Sequence, residues 1–372
     1  MKLNSKTLIS VIIACSFLFL SACGSNLNGK TDLSPMLASD ARGAGYKVES
    51  NEFADAEQYS SSLNNDGVAI GYSDDSKKDS SNDESNSVSL SSTASDSKIP
   101  SKGESKEKLS VHYVNVGQGD CELIISGKHA MIIDAGDNNE GTFVQNYLQK
   151  QGVGKDISLD YAICTHSDSD HCGGMDVVIS KFNIGNTMLP YSADSTKTWE
   201  DVLSAVKYKQ NPVEYTPGVG ETYNLGSASF VIISPEQKNE DDNNNSIGIL
   251  LTYGSTKFIF TGDAEEEEEN DMLSAEKNGL INLKADVYKV NHHGSKNSST
   301  SAFLDAISPK YAVISCAEGN SYHHPHATVL NELRARGIEV RRTDEEGTVI
   351  AESDGKNITW NVPASETWKA GE

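Results

Sequence analysis

The chain has 372 residues, of which 37% are hydrophobic and 23% are charged, and its formal net charge at pH 7 is −23. Most of that charge falls in residues 108–372, where 21 Lys and Arg stand against 39 Asp and Glu. This balance argues against a protein that holds a long polyanion through surface charge. The six cysteines form no C-x-x-C pair, so neither a zinc ribbon nor a redox motif is indicated.

The N-terminus has the pattern of a secretory signal. Lys2 and Lys6 precede an apolar run of about 13 residues, from Leu8 to Leu20, which is shorter than the roughly 20 residues of a membrane-spanning helix. The run ends in Leu20-Ser21-Ala22-Cys23, which resembles the bacterial lipobox. The resemblance implies cleavage before Cys23 and lipid attachment to its sulfur. We therefore expect a lipid-anchored protein on the extracellular face of the bacterial cell membrane.

Composition divides the chain into three parts. Residues 1–23 are the predicted lipoprotein signal peptide. Residues 24–107 include a stretch, Ser73 to Ser101, of mostly Ser, Asp, Asn and Lys, which cannot bury enough apolar surface to offset the entropy of ordering it. We predict a disordered Ser/Asp-rich linker there. Residues 108–372 are long enough for one domain with a substantial core.

Short apolar strands alternate with helical patterns along this domain. Two groups of strands, each followed by strand–helix alternation, predict an α/β protein with two sheets covered by helices. We interpret the acidic run Glu265 to Glu269 as a solvated helix start, where acids suit the helix dipole. The predicted strands are 109–116, 122–125, 130–134, 161–165, 229–233, 247–253, 257–261, 287–291, 311–315, 338–342, 347–351 and 358–362. The predicted helices are 142–151, 174–181, 198–207, 265–277, 300–307 and 328–336.

Four potential metal ligands lie within six positions directly after a predicted strand. They are His166, Asp168, Asp170 and His171, and a glycine pair follows them. Imidazole and carboxylate are the ligands expected for zinc or manganese. A solvated acidic loop would explain the aspartates, but it would not explain two histidines that bracket them.

Further candidate ligands follow other predicted strands. Asp263 follows the strand 257–261 through Gly262, and its carboxylate could bridge two ions. His292 and His293 follow the strand 287–291, and a third cluster, His323-His324-Pro325-His326, follows the strand 311–315. Seven of the nine histidines fall in these three places. A common site explains that clustering.

Taken in order, these motifs resemble the metallo-β-lactamase superfamily and, within it, the extracellular domain of the ComEC competence proteins. The catalytic domain of phosphorylcholine esterase looks similar too. The resemblance covers most of residues 109–351. It rests on Val116-Gly117-Gln118-Gly119-Asp120, Ile133-Asp134-Ala135-Gly136, the His166–His171 motif, Asn243-Asn244-Asn245-Ser246, Thr261-Gly262-Asp263, His292-His293-Gly294-Ser295, His324-Pro325-His326 and Arg342-Thr343-Asp344.

The resemblance implies an αββα sandwich with two divalent metal ions, zinc or manganese, at one edge. His166 and Asp168 would bind one ion and Asp263 would bridge the two. The other ion would be held by Asp170, His171 and His293. Asp134 would be an outer carboxylate that orients a ligand.

The sequence departs from the family pattern at several positions. Asp168 stands where the superfamily usually has a histidine, as in the ComEC branch. A separate histidine expected before Asp263 is missing, and Asn243 to Ser246 lies near that place. One metal site is therefore oxygen-rich, which favours manganese there. His323 replaces the family glycine before His-Pro. No transmembrane channel like that of ComEC proteins is evident, so we do not expect the chain itself to transport DNA.

These features predict metal-assisted hydrolysis by a metal-activated water. His324, or alternatively His326, would bind a phosphoryl oxygen or protonate the leaving group, and His292 could do the same. The first choice of substrate is a phosphoester of nucleic acid or wall polymer, cleaved by a monomeric phosphodiesterase or nuclease. The alternatives are a phosphorylcholine-type esterase on cell-wall polymers, a β-lactamase, and a non-catalytic surface binding module.

Overall fold

Two β-sheets form the centre of the protein in a computed structural model that describes residues 107–191 and 195–371. The first sheet has eight strands in the order β15-β14-β1-β2-β3-β4-β5-β6, with β3 to β6 parallel. Its strands are β1 (Leu109–Tyr113), β2 (Glu122–Ser126), β3 (His129–Ile133), β4 (Ser158–Ile163), β5 (Ile184–Leu189), β6 (Val213–Tyr215), β14 (Val349–Ser353) and β15 (Ile358–Trp360).

The second sheet has seven strands in the order β13-β12-β11-β10-β9-β8-β7, and its strands β10 to β13 are parallel. The strands of this sheet are β7 (Thr222–Leu225), β8 (Ala228–Ser234), β9 (Gly248–Tyr253), β10 (Thr256–Phe260), β11 (Val287–Lys289), β12 (Tyr311–Ile314) and β13 (Glu339–Arg342).

Helices cover the outer face of each sheet, so the layers are αββα and the predicted fold class is confirmed. One apolar cluster lies between the first sheet and α1, α3 and α4, a second between the two sheets, and a third between the second sheet and α5 to α7. The helices are α1 (Gly141–Lys150), α2 (Ser169–Cys172), α3 (Met175–Lys181), α4 (Lys197–Lys209), α5 (Glu266–Lys277), α6 (Ser301–Ile307), α7 (Ala327–Ala335) and α8 (Thr343–Glu346).

Side-chain alternation along the strands builds these layers. In β3, Ala130 and Ile132 pack toward the helices, while Met131 and Ile133 pack between the sheets. Because successive side chains of a strand point to opposite faces, a strand buried on both faces reads as a continuous apolar run. That is why such strands were predictable.

Three strands were not predicted, namely β5, β6 and β7. The first contains Gly185, Asn186 and Thr187, and the other two have only three and four residues. The pattern of strand formers is too short or too polar there to stand out. All of the strands and helices that were predicted are present, with ends that differ by a few residues.

The acidic run was predicted correctly as the start of a helix but wrongly as solvated throughout. Glu268 and Glu269 are fully buried. Glu269 accepts hydrogen bonds from the backbone of Ser299 and Thr300 and from the side chain of Asn291. Those donors offset the cost of burying a carboxylate. The run therefore has a structural role in joining α5 to the loop after β11.

The described cysteines Cys121, Cys164, Cys172 and Cys316 are buried free thiols. They pack in the apolar clusters. No helix within residues 107–191 and 195–371 is both long and apolar enough to cross a membrane. The predicted signal peptide and Cys23 lie outside the described residues, as does nearly all of the predicted linker.

Candidate metal centre

The candidate ligands lie where parallel strands of both sheets end. Asp134 follows β3, His166 follows β4, and Asp263 follows β10. Gly262 permits the close approach, because its φ is +51° and a Cβ there would lie 2.8 Å from Cβ of Thr165. Rigid strands thereby present polar side chains on short loops at one edge, where binding sites commonly form.

His171 is oriented by a buried carboxylate. Its Nδ1 lies 2.8 Å from Oδ2 of Asp134, and Asp134 also accepts hydrogen bonds from the backbone N–H and the hydroxyl of Thr165, at 2.8 and 2.7 Å. Because Nδ1 donates to Asp134, the neutral ring turns the lone pair of Nε2 toward the interior of the site. This is the arrangement expected behind a metal-binding histidine.

His293 is oriented in the same sense. Its Nδ1 donates to the carbonyl oxygen of Ser315 at 3.0 Å, so its Nε2 also faces the interior. The Nε2 atoms of His171 and His293 are only 3.3 Å apart. Two Nε2 atoms turned into the same space favour a positive charge between them, so the residues fit a bound metal ion.

Acidic side chains lie next to the imidazoles of His171 and His293. Oδ1 of Asp263 lies 3.1 Å from Nε2 of His171, and its Oδ2 lies 3.4 Å from Nε2 of His293. Oδ2 of Asp170 lies 3.3 Å from Nε2 of His293. Burial opposes ionisation of Asp263, but the neighbouring imidazoles hold its pKa well below the usual range. Asp263 is therefore a buried anion with its two oxygens facing two different rings.

The same charges act on the histidines. Burial by itself would lower the pKa of His171 and of His293, but the surrounding carboxylates raise both pKa values well above 6.5. Asp263 is the largest source of that increase for each ring. The pocket thus favours positive charge, whether as protons or as a metal ion.

His166 and Asp168 form a more open half of the site. Nε2 of His166 is buried and makes no hydrogen bond with any described residue. It lies 3.8 Å from Oδ2 of Asp168, whose side chain is 50% exposed. The rings of His166 and His171 have centroids 4.2 Å apart. The structure therefore brings all six predicted metal ligands to one place.

The remaining predicted histidines border the same centre. Nε2 of His292 is 3.6 Å from Oδ2 of Asp263, and its Nδ1 is 3.1 Å from Glu265. The ring of His324 lies across that of His292, with centroids 5.4 Å apart. His326 is engaged elsewhere, because its Nδ1 accepts a hydrogen bond from the backbone of Lys296 at 3.1 Å.

Asn243 to Ser246, which lies near the place of the missing histidine, supports the site by other means. The side-chain oxygen of Asn244 accepts hydrogen bonds from the backbone N–H groups of Glu265 and Glu268, at the start of α5. The hydroxyl of Ser246 accepts a hydrogen bond from the backbone of Asp263 at 3.2 Å and lies 3.4 Å from Nδ1 of His166. The segment therefore contacts ligands of both halves of the site.

Sequence reasoning missed Asp120 and Lys289 as site residues. Asp120, His171, Asp263 and His293 offer ligand atoms that all lie within 4.8 Å of one another. Lys289 pairs with Asp120 at 2.7 Å, and both side chains are buried. The glycines of the Gly-Gln-Gly-Asp motif were the sequence signal for Asp120, because glycine marks a close approach of backbone segments. A Cβ on Gly119 would lie 2.2 Å from the carbonyl oxygen of Asp170.

An αββα sandwich with a histidine–aspartate centre at its edge defines a metallo-β-lactamase-type protein. The family model described as "Metallo-beta-lactamase superfamily" matches residues 114–318, and the chain belongs to that superfamily. Its members are metal-dependent hydrolases that use divalent metals, often two.

Relatives include ComE operon protein 3 of Bacillus subtilis, which is 32% identical over 260 residues, covering 64% of this chain and 32% of that protein. Competence protein ComA of Neisseria gonorrhoeae is 30% identical over 246 residues, covering 66% of this chain and 32% of that protein. The chain thus spans about a third of the length of these relatives. Among solved structures, the metallo-β-lactamase fold protein YhfI from Bacillus subtilis is similar, with 14% identity, a TM-score of 0.45, and coverage of 67% of this chain and 100% of that one.

Proposed function

We propose that the protein is a dinuclear metal-dependent phosphoester hydrolase, acting as a phosphodiesterase or nuclease. The observation that carries the proposal is the 3.3 Å approach of the His171 and His293 Nε2 atoms, with the carboxylates of Asp170 and Asp263 beside them. His166 and Asp168 lie next to this group and supply donors for the other ion. The oxygens of Asp263 face different rings, which supports a bridging role.

The proposed reaction adds water across a P–O ester bond and releases an alcohol and an acidic phosphate. Divalent ions held by these residues would stabilise charge on a phosphoryl oxygen and make water a nucleophile near neutral pH. Asp134 keeps the proton of His171 on Nδ1 and leaves Nε2 free to bind. The carboxylates of the centre also lower the local cost of placing two cations in a buried site.

His324 suits substrate binding better than proton donation. Burial, together with the neighbouring histidines, lowers its pKa to about 3, so the ring is neutral at physiological pH. A general acid needs a pKa near the working pH, whereas a neutral imidazole can still donate one N–H to a phosphoryl oxygen. We propose this binding role for His324, and proton transfer to the leaving group for His292. The bond to Lys296 gives His326 a part in holding the loop.

The oxygen-rich half of the site guides the choice of substrate and metal. Asp168 replaces an imidazole and is half exposed, which favours a hard cation such as manganese there, with zinc as the alternative. A hard, cationic site suits phosphoryl oxygens better than a β-lactam ring.

The net charge of −18 over residues 108–372 favours a second candidate, a phosphorylcholine-type esterase acting on wall polymers, because a long polyanion would be repelled.

We further propose that the enzyme acts as a monomer outside the cell membrane, tethered by lipid on Cys23. In that arrangement residues 1–23 are removed apart from Cys23, residues 24–107 form the linker, and residues 108–372 form the catalytic domain. The support is the Leu20–Cys23 box behind a short apolar run.

The test is a substrate comparison with the chain lacking only its signal peptide. We expect hydrolysis of bis-p-nitrophenyl phosphate in manganese or zinc, and negligible hydrolysis of nitrocefin. Single-stranded DNA and p-nitrophenyl phosphorylcholine then distinguish the two phosphoester candidates. A preference for nitrocefin over every phosphoester would contradict the proposal, as would the absence of all turnover in metal-loaded protein.

A further inference from the structure

A buried ion pair joins the two sheets beside the metal centre. Lys289 is the last residue of β11 in the second sheet, and Asp120 lies in the loop between β1 and β2 of the first. Nζ of Lys289 donates to Oδ2 of Asp120 at 2.7 Å and to the carbonyl oxygen of Val290 at 3.1 Å. The side chains are only 1% and 2% exposed. Burying two charges is costly, so we expect this ion pair to have a specific role.

The other oxygen of Asp120 points toward the centre. Oδ1 lies 3.3 Å from Nδ1 of His293, the nitrogen that donates to the carbonyl of Ser315. No described residue makes a well-aligned hydrogen bond to Oδ1. One oxygen is thus fixed by Lys289, and the free one lies against a candidate metal ligand.

We propose that Asp120 and Lys289 are a positioning pair for the metal centre. Lys289 anchors one oxygen of Asp120 so that the other stays 3.3 Å from Nδ1 of His293, where its negative charge favours the proton on Nδ1 and leaves Nε2 free to bind at the metal site. Asp134 does the same for His171 from within the first sheet. The pair therefore links the second sheet's histidine to the first sheet. This inference rests on the metal centre of the proposed function, but it does not depend on which substrate the enzyme cleaves.

The neighbouring Glu122 provides a matched control. It is also buried, on β2, only two residues from Asp120. Burial and the charge of Asp120 raise its pKa well above 4.5. Its side chain forms no hydrogen bond or ion pair with any of the described histidines. Glu122→Gln therefore alters a buried acid of the same region without touching His293.

The experiment measures the affinity of the full-length mature chain for Mn²⁺ and Zn²⁺, by competition with a chromophoric chelator. Asp120→Asn should lower the affinity about 10- to 100-fold, the range found for outer partners of ligand histidines. Since Lys289 offers only donors, the single oxygen of the new amide should face it, and the NH₂ group should face His293. Glu122→Gln should bind metal as the wild type does.

Lys289→Met distinguishes a positioning role of Lys289 from a direct effect of its charge on metal binding. Loss of a nearby positive charge would by itself tighten the binding of a cation. The positioning role predicts weaker binding, because Asp120 loses the donor that fixes it. Lys289 acts through Asp120, so adding Lys289→Met to Asp120→Asn should cost little further affinity. The visible absorption of the Co²⁺-loaded variants should change from that of the wild type, since it reports ligand geometry.

Wild-type affinity in Asp120→Asn would overturn the proposal, as would tighter or unchanged binding in Lys289→Met. Additive losses in the double variant would show two independent effects and would also contradict it. Circular dichroism of the metal-free variants controls for folding, because a lone buried charge can unfold a protein. The double variant leaves no lone charge. If none of the three variants folds, the pair serves the fold and the positioning role is wrong. These readouts need no turnover, so they are separate from the test of the proposed activity.

Discussion

Asp263→Asn tests the bridging role most sharply, because it keeps the shape of the side chain and removes its charge. Asp263 is 3% exposed, with one oxygen 3.1 Å from Nε2 of His171 and the other 3.4 Å from Nε2 of His293. The amide keeps one oxygen, and its NH₂ group would face the other ring. Both ions should therefore lose a ligand atom or its charge.

The expected loss of metal affinity and activity can be estimated from milder changes at metal sites. Removing an outer hydrogen-bond partner of a metal ligand costs roughly 10- to 100-fold in affinity or activity. A direct ligand shared by two ions should cost more than about 100-fold, or about 2.7 kcal/mol. Asp168→Asn should cost less than Asp263→Asn, because in the proposed site Asp168 would contact one ion only and its side chain is half exposed.

The assay is metal content after dialysis at fixed free metal, together with turnover of bis-p-nitrophenyl phosphate. Asp160→Asn is a matched control, because Asp160 also pairs with a histidine, His129, at 2.6 Å, but it lies near the start of β4, away from the centre. It should keep wild-type metal content. Full activity in Asp263→Asn, or a greater loss in Asp168→Asn, would refute the reasoning.

Three further predictions concern stability and the N-terminal region. Burial lowers the pKa of His112 to about 4, so the unfolded chain binds a proton more readily between pH 6.5 and 4, and stability falls as pH falls. Urea titrations of metal-free protein measure the free energy of unfolding at pH 7 and at pH 4.5. The decrease between these pH values should be roughly 2 to 3 kcal/mol smaller in His112→Gln than in the wild type; equal decreases would contradict this. Cys23→Ala should abolish metabolic labelling with palmitate and release the protein from the membrane, and a retained label would remove the anchor hypothesis. Limited proteolysis should cut within residues 24–100 and leave a stable core that starts near Ser105, whereas a protected linker would contradict the composition argument.

Much of the fold was predictable because its strands are buried on both faces and its helices follow an apolar period. Ile132 and Ile133 show the pattern, since one packs toward the helices and the other between the sheets. Strands β5 to β7 were missed because short or polar strands carry little periodic signal. The burial of Glu269 was missed because its backbone and amide partners come from residues 291–300, which only the tertiary fold brings close.

The six candidate ligands were predictable because their residue types are rare and clustered after strands. The carboxylate behind His171, Asp134, came from a motif resemblance. Asp120 was overlooked because an isolated aspartate in a glycine-rich loop reads as a turn residue. Lys289 was overlooked because a lysine at a strand end is usually exposed, and only its partner from the other sheet explains its burial.

The most direct test of the central claim is turnover of bis-p-nitrophenyl phosphate during titration of metal-free protein with manganese or zinc. The dinuclear account predicts that activity rises until two ions are bound per chain, with little activity at the first equivalent. Full activity at one ion per chain, or turnover that persists in a strong chelator, would contradict it.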